Sequence, residues 1–177
     1  MTSKEVIKLG ERELAKKRRR EARDARFLLV AQRFAELVME AVEKNKSCSL
    51  VAWEYKGEVG GEIFPRMDTN PCGRGHDRCL KHCGLTFKEC MDLPEADRPD
   101  YVTASFTRID REDLVVPGPS DVIQYQVWPF VGAWEGRIMN RVFRELRMPK
   151  NRILSLHYMD VRSVRGAVLY GEGVKRA

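Results

Sequence analysis

The chain has 177 residues, 43% of them hydrophobic, and a formal net charge of +6, which suits one domain with a real core and an appendage. No stretch approaches the ~18 uninterrupted apolar residues of a membrane span, and the start MTSKEVIKLGERELAKKRRR lacks the apolar segment of a secretory signal. The expectation is a non-secreted protein of the nucleus or cytoplasm, working in a reducing compartment.

The first 46 residues hold 13 Lys+Arg against 8 Asp+Glu and read as one long helix. Thr2 and Glu5 have capping-box spacing, and Asn45 before KSCS is a plausible stop. In the second half Phe27, Val30, Ala31, Phe34, Leu37, Val38, Ala41 and Val42 fall at steps of three and four, which makes one apolar stripe. Upstream, ERELAKKRRREARDAR offers only Leu14 and scattered alanines. A half that is polar all round is not held by packing, so residues 1–26 are expected to project as a basic arm from a globular domain of residues 27–177.

The middle, residues 47–133, holds 9 Lys+Arg against 14 Asp+Glu. CSLVAWEY is rich in β-formers and ends at the turn-prone KGEVGG. Glu54, Glu58 and Glu62 flank that turn, as in an ordinary exposed hairpin or a metal-binding one. YVTASFTRI and DVIQYQVW alternate as half-buried strands, separated by a proline loop, and ILSLHYMD and GAVLY read as two final strands.

Between the first strands lies PCGRGHDRCLKHCGLTFKEC, with four of the five cysteines. Cys72, His76, Cys79 and Cys83 supply four soft or borderline ligands for tetrahedral zinc, with His82 and Cys90 in reserve, although the spacing matches no common finger and no CxxC occurs. Read instead as a helix over 76–91, Cys79, Leu80, Cys83, Phe87, Cys90 and Met91 form a continuous apolar stripe of the kind free cysteines usually join. The core helix is the first expectation for residues 71–91 and zinc the second.

The last 44 residues hold 10 Lys+Arg against 4 Asp+Glu. A helix over 132–147 would place Trp134, Ile138, Met139, Val142, Phe143 and Leu146 inward and gather Arg137, Arg141 and Arg144 outward, with Arg147 at the margin. Glu145 stands where it could pair with Arg141. Arginines in such a ridge can fork phosphate oxygens.

No P-loop, dinucleotide fingerprint or HExxH is present, and Cys72, His157 and Asp160 have the order but no local signature of a thiol triad, so no catalysis is expected. The expected fold class is α+β: a long N-terminal helix with a projecting basic half, docked on a small, mostly antiparallel sheet with two further helices. Two basic ends around an acidic middle favour a polyanion partner, duplex or structured RNA. Its contacts would come from Lys16, Lys17, Arg18, Arg19, Arg20, Arg23 and Arg26 on the arm and from Arg137, Arg141, Arg144 and Arg147 on the ridge. KKRRR over residues 16–20 also matches a short nuclear-import signal. The general style is that of small viral accessory proteins that bind RNA or interfere with host silencing. The competing expectation is a protein–protein adaptor that forms a homodimer through residues 27–42 and has no nucleic-acid role.

Overall fold

Helix α1 (Ser3–Lys44) runs unbroken for 42 residues, roughly 63 Å at 1.5 Å per residue. The computed structural model describes residues 3–65, 83–114, 118–160 and 163–171. The helix stops at Asn45, whose φ of 53° is a left-handed conformation that asparagine tolerates. There the Asn45 N–H still reaches the carbonyls of Ala41 at 3.0 Å and Val42 at 3.2 Å. The Tyr125 hydroxyl donates to Asn45 Oδ1 at 2.7 Å and so ties this end of the helix to the sheet.

The sheet has six strands in the order β2-β1-β3-β4-β5-β6. They are β1 (Cys48–Tyr55), β2 (Glu58–Pro65), β3 (Asp100–Ile109), β4 (Ile123–Pro129), β5 (Arg152–Asp160) and β6 (Ser163–Gly171). Every pairing is antiparallel except β4 with β5. That parallel pair needs a crossover, which α3 (Ala133–Phe143) supplies; the short α2 (Phe87–Asp92) precedes β3. The architecture is the α+β fold expected.

The β1–β2 hairpin turns on Lys56 and Gly57, both at positive φ (51° and 87°), the combination a two-residue turn requires. The sequence marked the turn but not β2 as a strand, because Gly60 and Gly61 interrupt the β pattern. Each glycine makes room on a different face. A Cβ on Gly60 would stand 2.3 Å from Trp53 Cζ2, and one on Gly61 would stand 2.7 Å from Leu37 Cδ1 of α1.

Helices α1 and α3 cover one face of the sheet. Phe27 meets Trp134 at 5.1 Å between ring centres and Phe34 meets Phe143 at 6.1 Å, so the two helices run alongside in the same direction. All eight residues of the α1 stripe are at most 2% exposed. They pack with Leu50, Ala52, Val102, Phe106, Tyr125, Leu154 and Leu156 in one core. The stripe over 27–42, through which a homodimer was the competing expectation, is covered by the chain's own sheet and α3. Periodicity shows that a face is buried, not what buries it.

The helix expected over 76–91 is also corrected where it is described. Gly84 has φ +77°, and Thr86 starts a new helix. Thr86 Oγ1 accepts from the Glu89 N–H at 3.2 Å while Glu89 Oε2 accepts from the Thr86 N–H at 2.6 Å, a complete capping box. Those bonds to Thr86 lower the Glu89 pKa. Cys83 and Cys90 therefore lie on different elements, and Met91, expected inside, is 49% exposed. Cys90 is buried as expected.

Candidate nucleic-acid interface

The arm leaves the body before Phe27. From Ile7 to Arg23 every residue is exposed, whereas Phe27 is 2% exposed. Lys16, Arg20 and Arg23 continue the spacing of Phe27, Ala31 and Phe34, so the stripe that packs on the body turns basic where α1 overhangs its edge. Lys16 pairs with Glu13 at 2.7 Å and Lys17 with Glu21 at 3.9 Å, all strongly exposed. Such pairs cancel little of the arm's field. Arg18, Arg19 and Arg20 have no protein acceptor among the described residues.

Arg26 has a different role from its neighbours. Its Nε donates to Asp100 Oδ2, lies 3.6 Å from Glu54 Oε2, and its Nη1 donates to the Ala96 carbonyl at 3.3 Å. Placed by the sequence among the nucleic-acid contacts, Arg26 is committed to holding α1 on the sheet. Glu54, 4% exposed, also accepts from the Gly57 N–H at 2.7 Å and so links the hairpin to this cluster.

The ridge stands on α3. Arg137, Arg141, Arg144 and Arg147 are exposed and make no ion pair among the described residues, and the Arg141–Glu145 pair is not formed. The helix is shorter than the 132–147 expected and ends at Phe143. Its exit tightens through Glu145 N–H to Val142 O (3.1 Å) and Leu146 N–H to Phe143 O (3.2 Å), which returns Leu146 and Met148 to the core. Arg137, Arg141 and Arg144 remain one stripe, with Arg144 as the C-cap, while Arg147 lies beyond the helix. Beneath the stripe, Asn140 Oδ1 accepts from the hydroxyls of Tyr158 (2.6 Å) and Tyr170 (3.0 Å) and fixes the helix to β5 and β6. Burial pushes the Tyr170 phenol up to about 12 and the Tyr158 phenol higher.

A cleft of about 1200 Å³ lies where the arm meets the body. Its walls come from Arg19, Arg23 and Arg26 of α1, the start of β3 and the start of α3. Arg23 lies over the Trp134 ring, 3.8 Å from its centre, and the Trp134 indole N–H donates to Asp24 Oδ1 at 2.6 Å. Sequence reasoning placed Trp134 only in the core and missed this contact. Arg23 and Trp134 are 111 positions apart, and no spacing rule connects them.

The other sheet face carries a small second cluster of Val51 and Phe64 with Trp53, Cys83 and Tyr101. Next to it Trp128 stacks on His157 at 4.3 Å and 12°. His157 Nε2 meets Ser155 Oγ at 3.0 Å, and burial lowers the imidazole pKa. Of the thiol-triad candidates Cys72 lies outside the described residues, as does the Asp160 side chain. The zinc set Cys72, His76, Cys79 and Cys83 lies outside them too, except for Cys83. Among the described residues no three His, Cys, Asp or Glu side chains converge on a metal-sized point, and no helix is long and apolar enough to cross a membrane.

Compared with protein-family models, with curated proteins and with solved structures, the chain matches none.

Proposed function

We propose that this protein is a non-enzymatic RNA-binding accessory factor that grips duplex or structured RNA by its phosphates. One contrast supports the reading. Arg18, Arg19, Arg20, Arg137, Arg141, Arg144 and Arg147 are exposed without protein acceptors among the described residues, whereas Arg26, Arg33 and Arg98 are engaged by acceptors of the chain. Guanidinium groups left unfilled on two helices suit phosphate oxygens spaced along a polyanion. A helical arm of about 20 residues projects roughly 30 Å, enough to follow a duplex backbone for several phosphates. RNA rather than one DNA sequence is favoured because arginine-rich helices can bind duplex RNA by shape and phosphate contact, with no base-reading code needed. An accessory role of viral type, acting against host silencing, and nuclear entry through residues 16–20 belong to the same proposal.

The deciding experiment titrates mixed-sequence duplex RNA, single-stranded RNA and duplex DNA against salt. Tight binding at low salt that weakens steeply with added salt is the expected result. Absence of binding at low salt would sink the reading. The adaptor alternative is weakened by the covered stripe of α1, since its dimer face is already in use.

A further inference from the structure

Four arginines line the cleft at the root of the arm, and they fall into two kinds. Arg26 is ion-paired to Asp100 and Glu54, and Arg98 donates to the carbonyls of Leu93 (3.0 Å) and Met91 (2.9 Å). Arg23 and Arg19 have no acceptor among the described residues. Arg23 is nevertheless held in place, because its guanidinium carbon stands over the Trp134 ring, 3.8 Å from the ring centre. Trp134 is fixed in turn by its bond to Asp24 and its packing on Phe27.

Stacking occupies one face of a guanidinium and none of its five N–H donors. Arg23 is therefore ordered in advance of any ligand, and the entropy of fixing a long side chain is already lost. Arg23 is also one of the residues that line the cleft. Arg19 lies one turn up the same helix, about 6 Å away between Cβ atoms. Both side chains line the cleft, so one can meet a base while the other meets its phosphate. The cleft exceeds the roughly 300–1,000 Å³ of an ordinary small-ligand pocket, so a nucleotide with part of its chain can enter.

Three carboxylates, Asp100, Glu135 and Glu95, also line the cleft. Asp100 is neutralised by Arg26. Glu135 folds over the start of α3, its Oε2 2.7 Å from where a Cβ on Gly132 would sit. Glu95 stands exposed at the rim.

We propose that this cleft binds an unpaired nucleotide of RNA, its base stacked on the outer face of Arg23 and its phosphate bound by Arg19. This inference rests on the RNA-binding reading above and adds a preference that the exposed arginines alone do not supply. A base locked in a duplex has both faces covered and cannot reach Arg23, so the cleft selects ends, bulges and loops.

The test uses the full chain labelled with ¹⁵N, following the three tryptophan indole N–H signals while uridine 5′-monophosphate is added; Trp134→Phe assigns its signal. The expected result is a saturable shift at Trp134, with Trp53 and Trp128 unmoved. Arg23→Gln should weaken binding about tenfold, the loss of the charged surface on which the base stacks. Arg23→Lys should lose nearly as much, because charge is kept and the flat stacking surface is not. Both variants should stay folded and melt within a few degrees of the wild type, since Arg23 is exposed and loses only its contact with Trp134.

Three results would overturn the proposal: no shift at millimolar nucleotide, an equal shift from inorganic phosphate alone, or an equal shift from a phosphoserine peptide. A protein that ignores the nucleotide but binds duplex RNA with a steep salt dependence loses only this inference. One that binds neither loses the RNA-binding reading as well.

Discussion

Arg26 on α1 and Asp100 at the start of β3 form an ion pair that joins the root of the arm to the sheet, with Glu54 of β1 beside it. The Glu54 side chain is 5% exposed, so its charge depends on this guanidinium and on the Gly57 N–H for compensation. Arg26→Gln leaves a carboxylate buried with half its partners. Chemical denaturation should show a loss of about 2–4 kcal/mol. Glu54→Gln in the same background should recover part of it, because the amide needs no counter-charge. A loss no larger in Arg26→Gln than in Arg20→Gln would show that the cluster is incidental.

The ridge separates function from fold. Replacing Arg137, Arg141 and Arg144 by glutamine keeps good helix formers, and each exposed change should alter stability by less than ~0.5 kcal/mol. Binding to RNA should fall for all sequences alike, and the slope of log affinity against log salt should shrink by about one unit per lost contact. Undiminished binding would assign the affinity to the arm alone. An unfolded triple variant would mean that these arginines serve the fold.

His157 provides a pH signature. Burial lowers its pKa below the ordinary 6.5, so between those two values the unfolded chain binds a proton that the folded chain does not. Folding stability from this group is complete above about pH 6.5 and is lost as pH falls toward the folded value. His157→Phe keeps a ring for Trp128 to stack on and removes the titration. Denaturation curves between pH 7.5 and 5 should fall more steeply for the wild type than for the variant. Parallel curves would contradict the assignment.

The thiols should react in order. Burial raises Cys48 to about 11 and also raises Cys90, while Cys83 is only half-buried. Brief alkylation of the native protein at pH 8, read by mass spectrometry, should label Cys83 well before Cys90 and Cys48. Stoichiometric zinc in the purified protein, with protection of Cys83 that a chelator removes, would instead support the set formed with Cys72, His76 and Cys79.

Periodicity carried most of the fold. The α1 stripe, β1, β3, β4 and β5 could be read because alternation and three-four spacing persist for several residues with clear stops, such as Asn45 and the Lys56–Gly57 turn. The failures share one cause. Where a special residue interrupts the pattern, as Gly60 and Gly61 do in β2, Gly84 does before α2, and the tightened turn does after Phe143, local chemistry overrides the average. The candidate site was legible only as a charge inventory. Which arginines are already engaged depends on partners 74 and 28 positions away, as with Asp100 and Glu54 for Arg26, and no single-sequence pattern carries that information.

Helix α1 is one hydrogen-bonded rod, yet its two ends have different reasons to exist. Beyond Phe27 one face of the helix is packed into the core, and opening it there disrupts that packing. Before Arg23 no described residue buries the helix, and opening there requires only fraying from its N-terminal end. Amide hydrogen exchange should therefore climb along a single helix from protection set by the whole domain to protection set by a few turns. RNA bound along the arm would slow exchange only in that outer stretch, so the same helix can record when a ligand is present without any change in the body.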